Sequence, residues 1–362
     1  MRRHRSDRLS VMQDHDEGLR RAARELLGAS EVIDLHIDTM IPARLYGYDP
    51  TVAHGPGIWR GRLFGHLDLP RIQEGGLTGA MWSITTQPFR SASSRWRRFL
   101  QNVKRLERLA QGSSGALAIA RDAQEYRAAR SAGAHVILPA VQGGNSLEGA
   151  PDGVASIPHD FITRVTLVHL TDSCYGTTSS PLRWGRDRGL AQRGQELVEQ
   201  LNAHRVFVDL AHISRPAFWK AVEAHDASLP LIVTHTGVCG VRDHWRNLDD
   251  DQLRAVAESG GVIGVMFHQG FLARRGGPRD ADMVLEHMEH IIATVGEAHV
   301  AIGTDYDGFI TPPADLRDGL GYLTLVERML DRGWDPAVIR GALGENALAS
   351  LALLRPGAQE SP

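Results

Sequence analysis

The sequence is poor in cysteine, in lysine and in long apolar runs, and it lacks a surplus of either charge sign. Cys174 and Cys239 are its two cysteines. They exclude a disulfide framework and a four-cysteine zinc site. Both read as structural thiols. Lys104 and Lys220 are the only lysines, so arginine carries almost all the positive charge. Forty basic side chains meet 43 acidic ones, for a net charge of −3. That balance argues against a general nucleic-acid binder. No apolar run reaches the ~20 residues that a membrane span needs. The arginine-rich stretch from Met1 to Leu9 meets Asp14, His15, Asp16 and Glu17 before any apolar segment. It does not read as a secretory signal, so a cytoplasmic protein without a membrane partner is expected. A P-loop and a serine nucleophile elbow are also missing. Gly143-Gly144 lacks the partner glycines of a dinucleotide fingerprint.

What is present is a repeated alternation. Short apolar runs recur at Val32 to Ile37, Gly79 to Ile84, Val136 to Val141, Val165 to His169, Val206 to Leu210, Leu231 to His235, Val262 to Phe267 and Val300 to Thr304. Helical patterns lie between most of them, at Arg95 to Gln111, Gln192 to His204, Arg215 to His225, Asp249 to Ser259 and Asp282 to Val295. An amphipathic helix over Gly18 to Leu27 precedes them, with Gly28 as its expected C-cap. Strands alternating with helices predict a parallel sheet of βαβ units. Eight such runs predict a (β/α)8 TIM-type barrel, a fold that uses this length as one domain. With no internal repeat or linker, residues 18–355 are expected to form that domain. Flexible segments are expected over 1–17 and 356–362.

Polar residues collect where the apolar runs stop. His36 and Asp38 end the first run, Gln142 the third, His169 the fourth, and His235 the sixth. His212 follows the fifth, and Asp305 ends the last. In an α/β barrel, the carboxyl ends of the strands face one another across one mouth. Residues two apart on a strand point the same way, so His36 and Asp38 can reach one cation together. Any one of these histidines alone reads more readily as a hydrogen-bonded core residue. Four imidazoles and two carboxylates at strand ends do not, and the set points to a metal site.

These residues resemble the membrane (renal-type) dipeptidases, peptidase family M19. The segments that carry the resemblance are VIDLHIDT (Val32 to Thr39), DLPRIQEGGLTGAMWSI (Asp68 to Ile84), VTLVH (Val165 to His169), VDLAHIS (Val208 to Ser214) and VTHTG (Val233 to Gly237). RNLDDDQL (Arg246 to Leu253), IGTDYDG (Ile302 to Gly308) and the terminal RGWDPAVIRGALGENAL complete it. They run in family order over roughly residues 20 to 354.

The resemblance implies a dipeptidase acting on dipeptides or related small amides through metal-activated water, with two zinc ions and, commonly, a homodimer. It assigns His36 and Asp38 to one metal and His212 and His235 to the other. Asp305 would be the acid/base, His169 the contact to the tetrahedral oxygen, and Arg246 the holder of the substrate carboxylate. The family's bridging glutamate is replaced here by Gln142, and Asn145 stands where many members carry histidine. An amide has one good acceptor oxygen and an NH2 that cannot ligate. Losing the bridging charge lowers affinity for a second cation. Three outcomes follow: one metal, two metals with Gln142 binding one, or a catalytically weakened or binding-only relative. Glu148, six residues downstream, is a further carboxylate near this position.

Overall fold

The fold is seen in a computed structural model that describes residues 17–55, 61–183 and 185–357. Its strands are β1 (Ile33–Ile37), β2 (Gly79–Thr85), β3 (Leu117–Ile119), β4 (His135–Gln142) and β5 (Arg164–Thr166). They continue with β6 (Phe207–Asp209), β7 (Ile232–Thr236), β8 (Val262–Val265) and β9 (Val300–Ile302). The order β2-β1-β9-β8-β7-β6-β5-β4 closes where β2 pairs with β4, and every pairing is parallel. This is the expected (β/α)8 barrel, and each apolar run in the sequence supplies one barrel strand. β3 is an addition beside the start of β4. Its three residues are too short to register as an apolar run.

The helices lie close to where periodicity put them. The long helix between β2 and β3 spans Ala92–Gly112, and those after β5, β6 and β7 span Gln192–Ala203, Arg215–Ala224 and Asp250–Glu258. Asp249 caps the last through a capping box with Gln252, so the chain supplies its own stop for the free amides. The first helix covers residues 17–28, which makes Gly28 its last residue rather than its cap. Apart from Glu17, Pro356 and Gly357, the segments expected to be flexible lie outside the described residues.

The C-terminal helical region departs from the expectation that no apolar run reaches spanning length. Residues 336–354 form a continuous helical run that is long and apolar enough, by length and composition, to cross a membrane. It comprises Pro336–Arg340, a π-helical turn at Gly341–Glu345, and Asn346–Leu354. Polar residues punctuate it, so no unbroken apolar stretch shows in the sequence. Half of the run is buried in the protein, as in a core helix. Leu348, Leu351 and Leu354 pack with Ile33, Val136 and Ala301 and so close the lower end of the barrel.

Register shows which side chains fill the lumen. Ser83 pairs with Ala140, and Thr85 with Gln142. Ala140 pairs with Arg164, Gln142 with Thr166, and Thr166 with Asp209. In-register partners share a face. Arg164 on β5 reaches Ser83 on β2 and His36 on β1, neither of which is on a neighbouring strand. That face is therefore the interior. Its lower level is apolar, with Leu35, Met81, Leu138, Phe207, Ile232 and Val262. Its upper level is polar and carries the site. The opposite faces, including Trp82, Ile84 and Val141, pack under the outer helices.

Asp34 ties the closing strands together. Its carboxylate accepts from the Thr304 amide (2.9 Å), the Thr304 hydroxyl (2.6 Å), the Tyr322 hydroxyl (2.8 Å) and the His36 amide (3.0 Å). Burial nevertheless pushes its pKa up to about 6. Asp34→Ala would strand these donors in a dry environment, at a cost of about 3–5 kcal/mol. The expected result is a Tm lower by roughly 5–15 °C in a thermal melt. A change within about 1 °C would show that the clasp contributes nothing.

Candidate metal centre

Two irregularities aim the site histidines inward. The β1–β2 register slips between Asp34 and Ile37, and the β7–β8 register slips between Val233 and Thr236. Each slip is a bulge of the kind that re-aims side chains beside active sites. Each falls next to a site histidine, His36 and His235, whose rings stack across the lumen with centroids 3.8 Å apart. Two further residues sit on left-handed backbone just past a strand: His212 at φ 64° and Asp305 at φ 63°. Non-glycine residues seldom adopt this conformation, and it clusters at functional sites. Gly308 makes room for Asp305, because a Cβ there would lie 2.1 Å from Asp305 Oδ1.

The expected residues converge. His36 Nε2 lies 3.6 Å from Asp38 Oδ2 and 3.7 Å from Asp305 Oδ1. His212 Nε2 and His235 Nε2 are 2.8 Å apart. His169 packs edge-on to His212, at 4.7 Å between centroids. Ligand atoms of His36, His235 and Asp305 all lie within 4.8 Å of one another. Burial lowers the pKa of all four imidazoles, that of His169 to about 4. Their rings are therefore neutral at pH 7 and carry lone pairs. Burial, reinforced by Asp38, raises Asp305 well above the usual carboxylate range, while Arg246 pulls it back. Arg246 is buried and donates from Nη2 to the His235 carbonyl (2.5 Å). Its Nε has no partner among the described residues. Burial brings its pKa down to about 10, so it remains a cation.

Behind these side chains lies a polar layer that motif reading missed. Arg164 is fully buried. It donates to Thr166 Oγ1 (2.5 Å) and Ser83 Oγ (2.8 Å), and it pairs with Asp209 at 3.2 Å. Asp209 also accepts from the Thr166 hydroxyl (2.6 Å), the Thr234 hydroxyl (2.8 Å) and the Thr234 amide (3.1 Å). Thr234 Oγ1 in turn lies 2.8 Å from His235 Nδ1. Since the hydroxyl's hydrogen goes to Asp209, it accepts from Nδ1–H and puts the His235 lone pair on Nε2, 2.8 Å from His212 Nε2. Asp209 could have been suspected from VDLAH, whose acid interrupts an apolar strand.

Other expectations resolve differently. Glu148 is paired with Arg95 and Arg193 rather than with the centre. With Asn145 and Cys174 it lines a separate cavity of about 650 Å³. Burial raises the Cys174 pKa to about 11 and raises that of Cys239 as well, so neither is a thiolate. Both are partly buried. Asp307 shapes the mouth by accepting from the Gly65 and His66 amides and the Thr39 hydroxyl.

The sequence pattern of the Membrane dipeptidase family (Peptidase family M19) matches residues 20–352. The chain belongs to this family. A Klebsiella pneumoniae relative, an uncharacterized protein in the pqqA 5′ region, is 40% identical over 167 residues, 45% of this chain. The matched stretch spans 60% of that relative's length. Among solved M19 structures, dipeptidase AC, a metallopeptidase, has TM-score 0.78 and 27% identity, over 89% of this chain and 98% of its own. The probable dipeptidase PvdM of Pseudomonas aeruginosa has TM-score 0.82 over 94% of this chain and 99% of its own; at 17% identity it shows the shared fold.

The polar layer makes a test available. Arg164→Met would leave Asp209 an uncompensated buried carboxylate, at a cost of about 3–5 kcal/mol. The expected readout is a lower denaturation midpoint, and Arg164→Lys should restore only part of it, because one ammonium cannot reproduce the guanidinium fork. Full stability in Arg164→Met would contradict this reading of the layer.

Proposed function

We propose that this chain is a metal-dependent hydrolase of dipeptides or closely related small amides. The observation that carries the reading is the gathering of neutral imidazoles and Asp305 at one mouth, where His212 and His235 bring their Nε2 atoms within 2.8 Å, beside a buried arginine whose Nε has no partner among the described residues. Buried imidazoles with free lone pairs suit a divalent cation, and mixed nitrogen and oxygen donors suit zinc. His235 is the best-prepared ligand, with its Nδ1 held by Thr234 and with His212 Nε2 2.8 Å from its own Nε2. When bound, the cation supplies an acidified water and polarises the scissile carbonyl.

The chain's own residues do the rest. Asp305, with its raised pKa, takes the water's proton on a carboxylate oxygen and hands it to the leaving amine. His169, half-buried at the mouth, turns its Nε2–H from Gln142 Oε1, 3.3 Å away, to the oxygen of the tetrahedral intermediate. Arg246 offers guanidinium hydrogens to the substrate's terminal carboxylate, a bidentate task for which lysine is a poor substitute.

A second reading, a binding protein on the same barrel, has one observation in its favour. Gln142 satisfies its neighbours by hydrogen bonds without any cation. The assay that separates the two is release of free amino acids from a mixed L/L and L/D dipeptide panel by zinc-supplemented protein. Turnover is expected, abolished by a chelator and restored by zinc. Asp305→Asn should lower kcat by roughly 10²- to 10⁴-fold. A folded, metal-loaded protein that hydrolyses nothing in the panel would leave the binding reading.

The pH profile gives an independent check. Asp305 must be ionised to act as base, so kcat/KM rises as pH passes upward through its raised pKa. Arg246 lowers that pKa. Arg246→Gln is therefore expected to shift the acid limb to higher pH as well as raise KM for carboxylate-bearing substrates. An unmoved limb would separate Arg246 from Asp305.

A further inference from the structure

We infer that the centre takes one divalent cation, on the His212–His235 side, because Gln142 locks Asp38 and His36 into a hydrogen-bonded arrangement that does not ligate. The inference rests on the hydrolase reading for its purpose, but its geometry is independent of catalysis.

Gln142 sits among donors and acceptors of opposite kinds. In the amide orientation that satisfies both ends, Nε2 donates to Asp38 Oδ2 (3.0 Å), with Oδ1 at 3.2 Å, and to Thr85 Oγ1 (3.0 Å). Oε1 accepts from His36 Nε2 (3.1 Å) and His169 Nε2 (3.3 Å). Thr85 completes the ring by donating its hydroxyl to Asp38 Oδ1 at 3.2 Å. Asp38 thus receives hydrogens from two neutral groups. A carboxylate at position 142 could donate nothing and would face Asp38 as a second anion, which calls for a cation between them. The amide removes that demand.

His36 is held the same way from its other nitrogen. Its Nδ1 lies 3.0 Å from Arg164 Nη2 and 3.3 Å from Ser83 Oγ. A guanidinium only donates. Nδ1 is therefore the acceptor, and the ring's hydrogen sits on Nε2, facing Gln142. Metal-bound histidines have the opposite arrangement, with the remote nitrogen donating to a carbonyl or carboxylate. His235 has that arrangement through Thr234 and Asp209. His212 Nε2 donates to His235 Nε2 at 2.8 Å, but its Nδ1 has no partner among the described residues, so no neighbour fixes its hydrogen on Nε2 and the ring is free to change tautomer.

Charge agrees. Asp38, Asp209 and Asp305 face Arg164 and Arg246 inside the site, and the partly buried Arg44 also acts on Asp38. That balance leaves at most one net negative charge, too little to compensate two dications placed close together.

The experiment is metal content. Protein equilibrated with excess zinc, then desalted, is analysed by plasma mass spectrometry alongside a protein assay. One zinc per chain is expected for the wild type, one for Asp38→Asn, none for His235→Ala and two for Gln142→Glu. Two ions in the wild type would overturn the inference while leaving the hydrolase reading intact. Loss of the ion in Asp38→Asn, or a single ion in folded Gln142→Glu, would overturn it equally. A folded wild type that binds none would sink both readings. If Gln142→Glu fails to fold, the wild type and Asp38→Asn still decide.

Discussion

A buried guanidinium sets the terms for everything above the apolar floor of this barrel. Arg164 lies inside the lumen with no exposure to water. A charge in that position must be paired and hydrogen-bonded, because the lost solvation is worth several kcal/mol. Asp209 supplies the pairing and then holds Thr166 and Thr234. Thr234 holds His235, while Arg164 itself reaches Ser83 and His36. The orientation and tautomer of two site histidines therefore follow from one ion pair beneath them. The site is built on rigid strands and supported from below, as precise positioning requires.

A perfect barrel could not present these groups. Regular alternation would not bring His36 and His235 into stacking contact while keeping Asp34 against Thr304 and Tyr322. The register slips in β1 and β7 solve this by adding a residue on each side of the lumen. Left-handed backbone at His212 and Asp305 does the same just beyond the strands. These departures from regular structure cost energy locally and persist because neighbours over-determine them, Asp34 and Asp307 among them.

This explains which parts were legible in the sequence. Strand positions were readable because apolar runs bounded by helical periodicity have one cheap solution, a parallel barrel. Site residues were readable because imidazole and carboxylate at the end of an apolar run have no good packing reason to be there. His36, Asp38, Gln142, His169, His212, His235, Arg246 and Asp305 all sit at or around one mouth. The supporting layer was not readable. Arg164 begins an apolar run as one arginine among many, and nothing local says that it points inward. Thr85 and Thr234 are ordinary strand residues until register places them beside Asp38 and His235. β3 escaped because three residues carry too little periodicity. The closing helix escaped the length criterion because it is apolar on average without being unbroken.

Gln142 shows why composition of a site differs from its charge state. By motif it is a single substitution in a ligand set, and the remaining ligands look complete. In the structure it changes what the other ligands are doing. An amide both gives and takes hydrogen bonds, so it can satisfy Asp38 with one end and His36 with the other. A carboxylate can only take, and its neighbours would then need protons or cations to avoid repulsion. Gln142 therefore leaves Asp38 and His36 satisfied by hydrogen bonds where they stand. It leaves His235 untouched, because that ring is organised through Thr234 from Asp209 on the far side of the lumen. Asp38 and His36 are satisfied by hydrogen bonding, while His235 keeps its Nε2 lone pair turned to the lumen beside the buried Arg246 and the raised Asp305.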